Sequence, residues 1–399
     1  MFDSESNIPA VILSAGSEVV TVAIVDELHD KNIPILIISL GKKSILEGSC
    51  KKLVCCEIDW PPKTTTDALK QLVHVLDEQN VGIPRCWPVF ATEDGSLRLL
   101  LEGWSLLSHY LEIPGYATKL KMGGFDKAEL FLFLKERSLN KFIPETYVVK
   151  SDEEIDTAVD RLGKSAICKP SIKPYSVEFT DDGSKVYEAS QIQYVNKCGS
   201  IWGVSESWIF QEKLNPSEQG EAVWWGVRDR NGKQFGATAF ERIRYPKVGG
   251  TACYIEIVEI PELHLCVEKI LSALNYVGHA ELAFLLDTEG RWRLIEINIR
   301  SWLNISLANK AGYPVVYAHY LLSLGHDLPN IRANNTIRTW VSVERLLVFA
   351  LSVKGGGKLM SIAGALRLIM NADEKAIYSS SLRYVRFRWI LKMFRKILG

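Results

Sequence analysis

The chain has 399 residues, well beyond the length at which a single hydrophobic core stops growing, so two or three cores around a shared cleft are expected. Hydrophobic residues make up 47% and charged residues 24%, values that exclude both a disordered chain and a membrane-embedded one. Lysine plus arginine equals aspartate plus glutamate at 47 each, so no global field favours nucleic acid.

The first nine residues, Met1 to Pro9, are polar and acidic and lack the basic start and apolar run of an export signal, which predicts a cytoplasmic protein. The eight cysteines are scattered, with Cys55 and Cys56 adjacent, a spacing that suits reduced thiols better than a metal cage or a disulfide framework. The seven histidines show no HxxxH or HxxE spacing, and there is no GxSxG, so neither zinc chemistry nor a serine hydrolase is expected.

The apolar run Val11 to Leu13, the turn Ser14-Ala15-Gly16, a helical pattern over Glu18 to Leu28 and a second apolar run over Pro34 to Leu40 predict a βαβ start. Further strands are expected at Lys52 to Cys56 and Trp87 to Ala91, with a helix over Thr66 to Asp77 between them, giving a small parallel sheet. The first turn holds a single glycine rather than GxGxxG and reads as architecture rather than a dinucleotide site.

A helix is expected over Asp126 to Arg137, then a loop at Phe142 to Thr146, a short strand Ala166 to Pro170 ending at Lys169, and a polar hairpin near Asp181-Asp182-Gly183. Strands follow at Trp208 to Lys213, at Ala222 to Val227 and at Phe240-Glu241-Arg242-Ile243-Arg244-Tyr245-Pro246. On the last of these Arg242 and Arg244 are expected to share a face, and paired guanidinium groups suit carboxylate or phosphate. Trp224 and Trp225 are neighbours and cannot face the same way, so one is expected in the core and the other is left as a candidate substrate wall. Glu281 to Leu286 and Trp292 to Asn298 read as a hairpin around Asp287-Thr288-Glu289-Gly290.

The sharpest feature is Leu294-Ile295-Glu296-Ile297-Asn298-Ile299-Arg300. Alternate strand residues share a face, which predicts Glu296, Asn298 and Arg300 projecting together in front of three isoleucines. Hard oxygen ligands beside a cation suit magnesium with a phosphate.

Together with Phe90-Ala91-Thr92-Glu93-Asp94, Phe125-Asp126-Lys127, Ile143-Pro144-Glu145-Thr146, Cys168-Lys169-Pro170 and Gln211-Glu212-Lys213-Leu214 followed by Gly220-Glu221, this strand completes an ordered set that resembles the ATP-grasp superfamily over roughly residues 8 to 320. The resemblance implies an α/β chain whose ATP-binding half is α+β. It divides the chain into a Rossmann-like pre-ATP-grasp domain (1–115), a central subdomain (116–208), a subdomain carrying the metal site (209–325) and a helical extension (326–399). It implies that Lys127 and Lys169 contact the phosphates of ATP, that Gln211 and Glu212 meet the adenine edge with Lys213 and Leu214 beside them, and that Glu221 holds the ribose. Glu296 and Asn298 would bind Mg2+, Arg300 would contact the transferring phosphate or the acyl phosphate, and Arg242 and Arg244 the γ-phosphate or a carboxylate substrate. One position departs from the family pattern: Ala283 stands where the first metal carboxylate is usual, so that either Glu281, on the same strand face, substitutes, or Asp287 at the turn helps, or one metal is weakened.

The implied activity is a magnesium- and ATP-dependent ligase that forms an amide from a carboxylate and an amine. Glu296 to Trp302 resembles the D-aspartate ligase and polysaccharide-cluster branch, which implies attachment of an amino acid to a bacterial cell-envelope glycan or peptide precursor. The alternatives are a ligase making a soluble dipeptide or small-metabolite amide, and a degenerate ATP-binding scaffold.

From Leu382 to Gly399 there are six basic and no acidic residues, leaving the rest of the chain net acidic by the same amount. At 100° per residue Tyr384, Phe387, Ile390, Leu391, Phe394, Ile397 and Leu398 fill one arc, and Arg388, Lys392, Arg395 and Lys396 most of the other. Such a helix suits an anionic membrane surface and a lipid-linked acceptor at the inner face of the plasma membrane, or else packing on its own protein or on a second subunit.

Overall fold

The computed structural model describes residues 8–50, 52–60, 64–79, 86–114, 126–172, 187–192, 205–214, 220–245, 250–331, 333–352 and 358–398, the side chains of 358–360 and 394–398 excepted. The expected polar hairpin at 181–183, together with Phe125, Pro246 and the 247–249 part of the loop after the arginine strand, lies outside them.

Strands β1 (Ala10–Ser14), β2 (Ile35–Leu40), β3 (Leu53–Ile58), β4 (Trp87–Ala91) and β5 (Leu111–Glu112) form a parallel sheet in the order β3-β2-β1-β4-β5. Strands β1 and β2 are buried along their whole length because helices cover both faces, Glu18–Asp30 on one and Thr65–Gln79 on the other. The amino end of the helix Glu18–Asp30 is not open to a phosphate. The carboxylate of Glu93, at the end of β4, accepts from Ala15 N at 2.8 Å and from Ser17 N, and Thr92 Oγ1 bonds the same group. A side chain from a distant strand thus satisfies the donors that a dinucleotide would otherwise use, in agreement with the architectural reading of this turn.

A four-stranded antiparallel sheet, β6-β9-β7-β8, is built from β6 (Thr146–Val149), β7 (Ile167–Pro170), β8 (Tyr187–Glu188) and β9 (Trp208–Gln211), with the helix Asp152–Leu162 packed on it. Because β9 lies between β6 and β7, the expected division at 208/209 falls inside a strand; the break between sheets follows Gln211.

The largest sheet has the order β14-β13-β10-β11-β12-β15, from β10 (Glu221–Arg228), β11 (Gln234–Tyr245), β12 (Thr251–Ile257), β13 (Gly278–Leu286), β14 (Trp292–Asn298) and β15 (Thr339–Val341). Both of its faces are covered, which corrects the expectation for the tryptophan pair. Trp224 and Trp225 are both buried, at 1% and 0% exposure, and neither is a substrate wall. Trp225 packs in the core shared with the parallel sheet, and Trp224 in the core formed with the helices Lys127–Glu136 and Pro261–Ala273. Room for the Trp224 ring comes from the cross-strand pair Gly226 and Gly236, where an added Cβ would stand 2.6 and 2.7 Å from ring atoms.

Beyond residue 326 the chain is not purely helical, since β15 adds an edge strand to the large sheet. The helices Val343–Ser352 and Lys358–Asn371 pack over that edge. The last helix, Arg383–Leu398, lies against the amino-terminal unit: Val385 is fully buried, Arg388 Nη1 donates to the carbonyls of Ile45 and Glu47 at 3.0 and 2.8 Å, and Trp389 Nε1 donates to Glu344 at 2.6 Å. Of the basic arc, Arg388 is therefore turned to the protein, while Lys392 stays exposed with its ammonium 3.9 Å from Glu18. The outward face is apolar, with Tyr384, Phe387, Ile390 and Leu391 at 48%, 59%, 37% and 41% exposure. No described helix is long and apolar enough to cross a membrane.

Glu93→Ala is expected to lower unfolding stability by about 1 kcal/mol, because it leaves the half-buried donors at Ala15 and Ser17 without their acceptor. Urea unfolding followed by tryptophan fluorescence measures this, and an unchanged midpoint would show that the carboxylate is not the cap.

Candidate functional site

The hairpin β13–β14 places the expected ligands. Glu281 lies directly opposite Asn298, and Ala283 opposite Glu296, with a register shift after Ala283. Asn298 Nδ2 donates to Glu281 Oε1 at 3.0 Å, while Glu281 Oε2 is enclosed without a hydrogen-bond partner. Burial raises the Glu281 pKa to about 7, against the pull of Arg300 and Asn298. Asp287 is engaged by the turn itself. It accepts from Arg291 N and from the Nε atoms of Arg291 and Arg293 at 2.8–3.0 Å, and although burial opposes its charge these bonds hold it at about 2.

Glu296, next along the face of β14, lies 3.4 Å from Lys127 Nζ. Lys127 opens the helix Lys127–Glu136, whose start is fixed by Asp126: its carboxylate accepts from Ala128 N at 2.8 Å and Glu129 N at 3.3 Å, and it also bonds Ser171 Oγ. Lys127 N donates to Ser171 O at 3.0 Å, tying this helix to the chain just beyond β7, the strand that carries Lys169. Arg300 stands two residues past the end of β14, and its Nε donates to Asp94 of the amino-terminal unit at 2.7 Å. Burial opposes its charge, yet Asp94, Glu296 and Glu281 together hold its pKa above the ordinary arginine value.

The arginine strand departs from expectation. Shifts of register around Ile243 make a bulge in β11, so Arg242 and Arg244 do not converge. Arg242 pairs with Glu256 at 2.9 Å and stacks on Phe240 at the surface. Arg244 turns inward, pairing with Glu241 at 2.9 Å and with Glu221. Burial pulls its pKa down, opposed by Glu296 and Glu281. Glu221, the expected ribose ligand, is thus engaged by a guanidinium in this state.

Sequence reading did not single out Glu241. Burial pushes its pKa up to about 8, reinforced by Glu281 and Glu296, while the single guanidinium it touches is shared with Glu221. The available signal was a lone acid between Phe240 and two arginines, but regular alternation would have placed it opposite Arg242 and away from the site.

The segment after β9 stands apart from this cluster. Gln211 is fully buried, with Nε2 donating to Thr146 Oγ1 at 2.9 Å, so its side chain faces the interior of the small sheet. Glu212 and Glu145 are linked in both directions, Glu212 N to Glu145 O at 3.0 Å and Glu145 N to Glu212 Oε1 at 2.9 Å. Lys213 is exposed and pairs with Glu188 at 2.7 Å, and Leu214 is half-buried.

The donor set of Glu281, Glu296 and Asn298 is all hard oxygen, with one enclosed anionic atom lacking a partner, and fits a small divalent cation. Among the described residues no three acidic, histidine or cysteine side chains already converge at ligating distance, so phosphate oxygens or water would have to complete the coordination of a cation held there.

A parallel amino-terminal sheet, a small antiparallel sheet carrying the strand-end lysine and a large antiparallel sheet carrying the acidic hairpin together constitute the ATP-grasp fold. Over 86% of its length the chain superposes on 84% of an N5-carboxyaminoimidazole ribonucleotide synthetase in its ADP complex, with a TM-score of 0.63 and 13% identity. An L-amino acid ligase from Bacillus licheniformis gives a TM-score of 0.60 at 14% identity, covering 84% of this chain and 79% of that one. The family model for the carbamoyl-phosphate synthase L chain, ATP binding domain, matches residues 256–331, the stretch that holds both hairpin strands. In sequence, the chain is similar to a carbamoyl phosphate synthase large chain of Methanospirillum hungatei, 25% identical over 244 residues, 59% of this chain and 22% of that one. It is also similar to the mitochondrial arginine-specific large chain of Neurospora crassa, 28% identical over 142 residues, 30% of this chain and 12% of that one. The chain thus spans less than a quarter of the length of these curated relatives.

Glu241 sets a pH dependence. Its folded pKa, near 8, lies above the ordinary 4.5, so the stability it contributes is complete below pH 4.5 and is lost as pH rises through 8. Glu241→Gln mimics the protonated acid. Its melting temperature is expected to match the parent at low pH, rise increasingly above it between these values and level off beyond; a pH-independent difference would refute the buried acid.

Proposed function

We propose that the chain is an ATP- and magnesium-dependent carboxylate–amine ligase. The observation that carries this reading is the meeting of Glu281, Glu296 and Asn298 with Arg244, Arg300 and Lys127 at the seam of the two antiparallel sheets, within an ATP-grasp fold. Oxygen donors and cations in one partly desolvated place suit a polyphosphate and its counterion better than either set alone.

In this reading Lys127 and Lys169 hold the phosphates of ATP, the main chain of 211–214 borders the adenine, and Glu221 takes the ribose hydroxyls after exchanging Arg244 for the nucleotide. Glu296, Asn298 and Glu281 hold magnesium, which when bound offsets phosphate charge. Arg300 and Arg244 stabilise the γ-phosphoryl group as it moves to a carboxylate oxygen of the substrate and ADP departs. The amine then attacks the acyl carbon of the resulting acyl phosphate, inorganic phosphate leaves, and the amide remains. Glu281 replaces the carboxylate that Ala283 lacks, approaching from one strand-repeat further along β13.

The acceptor class we assign is a membrane-proximal envelope glycan or peptide precursor, supported by the Glu296-to-Trp302 pattern and by the outward apolar face of the last helix. The L-amino acid ligase neighbour favours a second reading, a soluble dipeptide product. An ADP-release screen with pooled amino acids, with and without uronic acid or peptidoglycan fragments, separates them. Glu296→Ala, Asn298→Ala and Arg300→Ala should each lower turnover by about 100-fold or more while leaving the fold intact; retained turnover in the Glu296 variant would remove the metal assignment.

The membrane contact has its own test. Because Arg388 is bonded to the protein and Lys392 lies beside Glu18, the outer apolar residues are the ones to change: Phe387→Ser with Leu391→Ser should lower sedimentation with anionic vesicles by about 100-fold, from the burial energy of two large side chains. A parent chain that ignores such vesicles would refute the contact.

A further inference from the structure

Arg300 and Ser301 lie outside any regular element, yet they are held from two sides by β4 and the residues just after it. On one side Asp94 accepts from Arg300 Nε at 2.7 Å, and Arg300 Nη1 donates to Ser301 O at 3.0 Å. On the other, Ser301 N donates to Ala91 O at 3.0 Å. Below them runs a buried chain: Ser301 Oγ to His279 Nε2 at 3.3 Å, His279 Nδ1 to His319 Nδ1 at 2.6 Å, and His319 Nε2 to Val89 O at 3.3 Å. Ser301, His279 and His319 are 0%, 2% and 4% exposed.

The chain has a single direction when both rings are neutral. The Val89 carbonyl can only accept, so His319 Nε2 carries a proton and its Nδ1 is an acceptor. His279 Nδ1 must then donate to it, and His279 Nε2 accepts from the Ser301 hydroxyl. Every polar atom in it is used once, between apolar neighbours such as Phe90 and Trp302, and the hydroxyl of Ser301 is left one orientation.

We propose that Asp94 and the Val89–His319–His279–Ser301 chain are positioning elements through which the amino-terminal sheet fixes the direction of the Arg300 guanidinium. The consequence for rate rests on the role given to Arg300 above; the bracing does not. A fully buried pair of imidazoles that served packing alone would gain nothing by ending on the residue beside Arg300, where apolar side chains of similar volume would fill the space without unmet hydrogen bonds.

The test uses the full chain with Asp94→Ala, the conservative Asp94→Glu, and Ser301→Ala, which deletes one atom from the buried chain. Deuterium exchange over residues 299–304 is expected to rise about tenfold in both alanine variants while exchange elsewhere stays as in the parent. In the ADP-release assay kcat should fall about 100-fold for Asp94→Ala with KM for ATP within twofold, and Asp94→Glu should recover part of it, since an error of about 1 Å in a catalytic group costs that much. Exchange that rises uniformly along the chain, or that stays unchanged at 299–304, overturns the proposal; a local rise with kcat unaltered upholds the brace and overturns the role given to Arg300 above. Should the parent release no ADP with any substrate, the ligase reading fails, and the exchange at 299–304 alone then upholds or overturns the brace.

Discussion

The arrangement of this protein follows from one constraint, the covering of the large antiparallel sheet on both faces. Trp224 and Trp225, adjacent on a central strand, disappear into two different cores, so that strand has apolar surroundings on both sides. Ionisable side chains gather where the covering layers part, at the seam reached by Glu241, Glu281, Glu296 and Arg300, with Glu281 directly opposite Trp225 in the strand register. There the ions are partly desolvated, and their side chains meet opposite charges and an amide. Burial raises the pKa of both Glu241 and Glu281 despite these contacts.

What was legible in the sequence was whatever depends on local periodicity. The βαβ opening, the hairpin around Asp287 and the shared face of Glu296 and Asn298 need only alternation and turn chemistry, and all three are present. The Glu93 side chain that caps the turn was not readable, because it arrives from just beyond β4, far along the chain.

What was not legible depends on irregularity and on layer order. A bulge at Arg242 has no local signature among well-formed strand residues, and it alone parts the two arginines and brings Glu241 to the site. The burial of both tryptophans required knowing that β10 is central and two-sided, a property of the whole sheet. The interior orientation of Gln211 likewise follows from the position of β9 between β6 and β7. At the carboxy-terminal helix the amphipathic pattern was read correctly but its sides could not be assigned, since backbone carbonyls at Ile45 and Glu47 draw Arg388 inward.

That last contact joins residues more than three hundred positions apart and has a bearing on how the molecule is made. A growing chain reaches Arg388 only long after the loop that follows β2 has been made, so that loop waits for the guanidinium that ties its carbonyls. Until then those carbonyls are left to solvent, and the contact acts as a late stitch between segments far apart in sequence.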